Sequence, residues 1–135
     1  MNFKVWTSTE MITDKCKLKS IFVNSENEVY ILDEKLRFYN MPDYKIIRYT
    51  GIKDKNNNEI YSGDILELQD RIVVVVWDDQ EARYNIKVLC YTKENTVMLK
   101  INLSQMRGKN IIIGNIFENP ELFKKYNKNN IRVRI

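Results

Sequence analysis

Between Ile72 and Trp77 the chain reads IVVVVW. Four consecutive valines, β-branched like the isoleucine before them, lose side-chain freedom in a helix and pack well on a pleated strand. An apolar run that fills both parities of a strand needs cover on both of its faces. The chain must therefore build a sheet around this run and place something apolar on each side. The flanks agree. Asp78, Asp79, Gln80 and Glu81 make a polar loop, and Arg83 to Tyr91 reads as the return strand, with Tyr84, Ile86, Val88 and Cys90 on one face.

Other segments carry the same signature. Phe3 to Trp6 is a short strand, and Thr7 with Glu10 three residues on makes a turn or a capping-box-like start. Ile21–Val23 and Val29–Leu32 flank a polar loop and read as a hairpin. Further strands are expected at Leu36–Tyr39, Lys45–Tyr49, Ile65–Leu68, Val97–Leu103 and Ile111–Ile113. Two of the four glycines, Gly51 and Gly63, bracket the polar knot Asp54-Lys55-Asn56-Asn57-Asn58. A phosphate-binding loop would need a Gly-Lys-Ser/Thr ending and a following helix, and neither is present, so turn chemistry is the reading. One helix is expected late, with Asn119 as N-cap, Pro120 at its first position and an end near Tyr126; Leu122, Phe123 and Tyr126 would lay an apolar stripe on the barrel end. Many short strands and one late helix predict a mainly β, small-barrel architecture. The divisions expected are a β-rich N-terminal part (1–44), a barrel with its C-terminal helix (45–126) and a basic, strand-like tail (127–135).

Composition removes several chemistries. There is no histidine, and so no Ser-His or Cys-His pair. Two distant cysteines, Cys16 and Cys90, cannot close a structural zinc site; two free thiols are expected, Cys90 buried, although a disulfide between them remains open. No cofactor is expected. No run approaches the roughly 20 apolar residues of a membrane helix, and the first residues lead straight into a strand pattern, so a cytoplasmic protein without a signal peptide is expected. The net charge of +4 is concentrated at one end. Lys124, Lys125, Lys128, Arg132 and Arg134 have no acidic residue among them, and the 17 basic and 18 acidic residues before them nearly cancel.

The segments FKVW (Phe3 to Trp6), YTGIKDKNNNEIYSGDIL (Tyr49 to Leu66), VVVVWDDQEARYNI (Val73 to Ile86) and IIIGNIFENPEL (Ile111 to Leu122) together resemble the YopX family of phage and prophage proteins. The resemblance implies an SH3-like barrel in the C-terminal two-thirds, a smaller β-rich N-terminal part, and a phage or prophage gene acting in a bacterial host cell. It transfers no catalytic residue. Members commonly stop soon after the Asn-Pro-Glu-Leu helix, whereas this chain continues.

Three groups of residues invite a function. Asp78, Asp79 and Glu81 are either carboxylates for a divalent cation, with Asp64 as a further candidate, or a charged loop that ends an aggregation-prone strand. Trp77, Tyr84, Tyr91 and Tyr61 are either a stacking surface for single-stranded nucleic acid or packing residues; Arg83 and Lys87 fall on the strand face opposite Tyr84. The tail, with Ile131, Val133 and Ile135 on one face and arginines on the other, either docks as an added strand or is a free basic arm. The expected function is a non-enzymatic accessory protein that binds and modulates a host or phage protein, such as a defence or replication factor. The alternatives are a nucleic-acid-binding barrel with a basic tail and, third, a metal-dependent enzyme. The expected partner surface is Lys124, Lys125, Lys128, Ile131, Arg132, Val133, Arg134 and Ile135, with self-association and no membrane contact.

Overall fold

The structure, a computed structural model, describes residues 3–13, 20–23, 25–26, 28–32, 38–40, 45–93 and 102–133. Among the described residues the fold is mainly β with a single short α-helix, near the C-terminus. It divides into two compact units, Met1–Arg48 and Tyr49–Ile135.

In the first unit β1 (Phe3–Trp6) pairs antiparallel with β2 (Met11–Ile12), and also with Lys45–Arg48 at the start of β6 (Lys45–Lys53). The turn between β1 and β2 is held by Thr7, whose hydroxyl accepts from the Glu10 N–H at 3.1 Å. Val5, Ile12 and Ile47 are buried. A separate antiparallel sheet runs in the order β3 (Ser20–Val23), β4 (Val29–Leu32), β5 (Phe38–Asn40), which is the hairpin expected at 21–32 plus one strand.

The second unit is built on β7 (Glu59–Tyr61), β8 (Asp64–Glu67), β9 (Arg71–Asp78), β10 (Arg83–Tyr91) and β11 (Ile111–Asn115). Four of these form a sheet in the order β10-β9-β8-β11, antiparallel throughout. The valine strand is β9, and both of its faces are covered as its composition demands. On one face Val73 and Val75 join Leu66, Leu68, Ile86 and Val88 beneath Ile52 of β6, Ile60 of β7 and Leu103. On the other, Ile72, Val74, Ile65 and Leu89 are overlaid by Leu122, Phe123 and Tyr126 of the helix α1 (Pro120–Tyr126). Val73, Val74 and Val75 are each wholly excluded from water, which at about 1.5–3 kcal/mol per side chain makes this strand the centre of the unit's stability. The expected small barrel is present as a half-barrel, with the β6–β7 hairpin closing over one face of the sheet.

Three local departures have physical causes. A bulge shifts the β9–β10 register between Val88 and Cys90. Leu89 and Cys90 therefore both meet the helix-side cluster, and Cys90 does not share the face of Tyr84, Ile86 and Val88 as simple alternation requires. Cys90 is a free, half-buried thiol, and Cys16 lies outside the described residues. Leu103 opens a 3-10 turn (Leu103–Met106) rather than ending a strand, because Asn102 and Gln105 form a reciprocal capping box; the remainder of the strand expected at 97–103 lies outside the described residues. Gly51 does not end its strand. It sits inside β6 with φ +84°, where the pairing with β7 is irregular between Tyr49 and Lys53, a bulge that a residue with a Cβ resists.

Candidate functional site

The polar knot around Asp54 is part of the frame. Asp54 is buried, and its Oδ1 accepts from the N–H groups of Asn56 and Asn58, both at 2.9 Å. Its Oδ2 accepts from the Ile112 N–H of β11 at 3.1 Å. Burial pushes the carboxyl up, but the N–H donors of Asn58, Ile112 and Asn56 together outweigh it and hold the pKa below its ordinary value. The Lys55 N–H adds a bond to the Asn110 carbonyl at 2.8 Å, so the knot joins the β6–β7 hairpin to the start of β11. Asp64 is buried as well, and its Oδ2 accepts from the Tyr61 N–H at 2.8 Å. Next to it, Gly63 takes φ +88° with its N–H on the Val75 carbonyl at 2.9 Å, and a Cβ there would come within 2.7 Å of the Phe117 ring. These residues order the backbone of the two turns.

The four aromatic residues weighed as a stacking surface are separated. Tyr61 is buried against Tyr49 with ring centroids 5.7 Å apart. Tyr91 lies opposite Arg71 at one end of the β9–β10 ladder, with the Arg71 guanidinium 5.3 Å from its ring centroid. Arg71 is itself buried and forms a two-point pair with Asp70, 2.9 Å for each bond. That hydrogen bond, opposed by burial and assisted by the guanidinium charge, keeps the Asp70 carboxyl below its ordinary range. Trp77 and Tyr84 meet at the other end of the ladder.

It is here that a surface feature forms. Trp77 and Tyr84 are cross-strand partners with ring centroids 5.0 Å apart and planes inclined at 67°, an edge-to-face contact. Trp77 follows Val73 and Val75 in alternation, but the valine run ends before it, and the indole is 49% exposed. It overlooks a cleft of about 270 Å³ lined also by Thr50, Ile52, Arg83, Tyr84 and Ser104. Ala82 and Asn102 complete the wall. The hairpin turn beside it is held by its own side chains. Asp78 Oδ1 accepts from the Gln80 and Glu81 N–H groups at 3.0 and 3.1 Å, and its Oδ2 accepts from the Asn85 amide at 2.9 Å. Asp79 accepts the Trp77 indole N–H at 2.7 Å, and Glu81 pairs with Arg83. Ala82 takes φ +50°, an unusual left-handed conformation for a residue with a Cβ. The three carboxylates weighed as cation ligands thus have separate local partners. Among the described residues, no three His, Cys, Asp or Glu side chains are grouped to hold a metal ion.

A family profile described as "YopX protein" matches residues 2–124. The chain belongs to the YopX family. Among solved structures, protein YopX from Bacillus subtilis superposes with TM-score 0.62 at 13% identity, covering 90% of this chain and 97% of that one. Protein EF1440 from Enterococcus faecalis does so with TM-score 0.50 at 24% identity, covering 90% and 96%. At these identities the likeness concerns the fold. No curated protein matches the chain. Within the YopX-family chain the profile stops at residue 124, so nearly all of the basic C-terminal segment lies beyond the matched region.

That segment behaves differently from an added strand. Lys124 and Lys125 are exposed on the last turn of α1, with Lys125 Nζ 5.2 Å from the Tyr126 ring centroid. Cations suit that end of a helix, where the dipole is negative. Lys128 and Arg132 are exposed, whereas Ile131 and Val133 are half-buried against the helix-side cluster. Among the described residues Ile131–Val133 forms no strand. Asn129 reaches the edge of β10 instead: its backbone N–H donates to the Leu89 carbonyl at 3.1 Å and its amide to the Val88 carbonyl at 3.0 Å. Asn127 and Ile131 exchange two further bonds, of 2.8 and 2.9 Å, that fix the turn. Arg134 and Ile135 lie outside the described residues. Alternation in the sequence cannot distinguish strand pairing from an irregular segment that buries the same side chains. No helix among the described residues is long and apolar enough to cross a membrane.

Proposed function

We propose that the protein is a non-enzymatic accessory protein, carried by a phage or prophage, that binds another protein in the bacterial cytoplasm and modulates it. The observation that supports this most is the half-exposed Trp77 standing over a small cleft whose rim is already ordered. Exposed tryptophan and tyrosine beside arginine are the residue types that dominate protein interfaces. A cleft of about 270 Å³ is smaller than the roughly 300–1,000 Å³ of most small-molecule sites. It has room for a side chain of a partner. The carboxylates near it hold the hairpin together, which favours a recognition role over acid–base chemistry. The partner class is a host or phage protein, such as a defence or replication factor.

The test is capture of partners by the tagged full chain from bacteria carrying the prophage or phage, with and without nuclease, beside the Trp77→Ala variant. Nuclease-resistant enrichment of a discrete protein, lost in Trp77→Ala, is expected. Enrichment of nucleic acid alone would overturn the proposal.

One observation favours a second reading. Lys124, Lys125, Lys128 and Arg132 are all exposed, and Lys87 Nζ lies 3.4 Å from the Arg132 carbonyl, so cations gather on this surface. A nucleic-acid contact there would weaken steeply as salt rises, with a slope of about −0.9 in log K per phosphate neutralised on duplex DNA.

A further inference from the structure

We infer that the C-terminal segment, docked beside α1, presents a cationic surface that takes an acidic, carboxylate-bearing segment of the partner protein. The inference rests on the binding reading above and names the chemistry of the partner. Lys87 lies across from Val74, whose side chain belongs to the helix-side cluster, so Lys87 stands on the helix side of the sheet. Asn129 ties the segment to the next stretch of the same strand through the Val88 and Leu89 carbonyls, and Lys128 immediately precedes that anchor. The two bonds between Asn127 and Ile131 turn the chain. They bring Arg132 to Lys87, whose Nζ stands 3.4 Å from the Arg132 carbonyl. Ile131 and Val133 pack on the cluster with Leu122, Phe123 and Tyr126. Lys128 and Arg132 are left in water, next to the last turn of α1 with Lys124 and Lys125.

All five cations are exposed. Among the described residues none of them is ion-paired with a carboxylate. Glu121 sits a turn before Lys124 and Lys125 in α1 and joins neither. Like charges gathered on one surface repel one another, and a partner of opposite charge relieves that repulsion. Two features favour protein carboxylates over nucleic-acid phosphates. A single strand seeks aromatic faces for its bases, whereas Phe123 and Tyr126 are half-buried in the cluster and Lys125 lies over the Tyr126 ring. A duplex carries a charge about every 1.7 Å of its axis and would run past the cations onto Glu118 and Glu121, both exposed at the other end of the helix. A short acidic segment ends where the cations end. The surface is assembled before a partner arrives, which lowers the cost of binding. It also lies on the face of the sheet opposite the one that Val73, Val75 and Trp77 share, so its contribution and that of Trp77 can be read separately.

The probes are fluorescent alternating Ala-Glu and Ala-Lys peptides, an oligothymidylate and a short DNA duplex, each titrated with the full chain by anisotropy. The Ala-Glu peptide is expected to bind saturably and more tightly than the others. Lys128→Glu combined with Arg132→Glu should weaken it at least about tenfold. Lys55→Glu combined with Lys109→Glu makes the same change of net charge at two exposed lysines elsewhere and should cost less than about twofold. Asn129→Ala keeps every charge but unties the segment, and a loss of about threefold is expected; a free basic arm would bind as before. Thermal melts of each variant separate unfolding from lost contact. The inference is overturned if the Ala-Glu peptide does not bind, if either nucleic acid binds as tightly, if the two charge-reversal pairs cost the same, or if Asn129→Ala changes nothing. In the capture experiment, a protein lost with Trp77→Ala but kept by the chain carrying Lys128→Glu and Arg132→Glu would overturn this assignment and leave the binding reading standing. Capture of no protein at all would overturn the binding reading itself, and with it the partner named here.

Discussion

Two polar loops of the second unit look alike in sequence and do opposite things. DKNNN at residues 54–58 and DDQEA at 78–82 each follow a strand, begin with aspartate and carry no glycine. In the first, the Asp54 carboxylate is buried and binds the Ile112 N–H, 58 residues away. In the second, Asp78 accepts from the Gln80 and Glu81 N–H groups and the Asn85 amide, and Asp79 from the Trp77 indole, all bonds that brace the hairpin itself. A loop that answers distant backbone donors belongs to the frame. A loop whose carboxylates brace their own hairpin can leave a neighbour, here Trp77, half in water.

The sharpest way to break the contrast is Asp54→Ala. It leaves three backbone N–H groups without their acceptor and should cost about 4 kcal/mol of unfolding free energy, measured by urea denaturation. A loss below about 1 kcal/mol would put the two loops in one class. Acid offers a second test. The Asp54 pKa is lowered in the folded state from an ordinary value of 3.8, so its contribution is complete above that value and disappears as pH falls through the folded pKa. The stability difference between the native chain and Asp54→Asn should therefore be flat near neutrality and shrink only below about pH 4. Asp70, lowered by Arg71, adds to the acid loss with the same sign.

At the hairpin tip the effects are smaller. Asp78→Ala removes two N–H acceptances and the Asn85 contact at a site open to water, and about 1–2 kcal/mol is expected. Ala82→Gly relieves a left-handed conformation and should stabilise by up to about 1 kcal/mol, less whatever the added freedom of the unfolded chain takes back. A destabilisation would mean that the Ala82 methyl packs in the cleft more than its backbone suffers.

Much of the fold was legible. The valine run, the hairpin at 21–32, the late helix with Pro120 at its start and the two-sided burial of β9 all follow from local preference and period. The candidate site was legible only as residues. Trp77 and Tyr84 were visible as aromatics, but the cleft they share with Thr50, Ile52 and Ser104 is made by chain about 20 or more residues away, which no local pattern records. The tail shows the same limit. Ile131 and Val133 announce an apolar face, yet that face meets α1 and the bulged end of β10 rather than a neighbouring strand.

By itself the sequence determined where strands and turns must occur, because β-branched runs, proline and polar loops act over a few residues. Tertiary structure alone decided which aspartate became internal, which side of β10 received Cys90 and which tryptophan stayed in water. Those outcomes turn on hydrogen bonds and cover supplied from tens of residues away, and desolvation responds to neighbours in space.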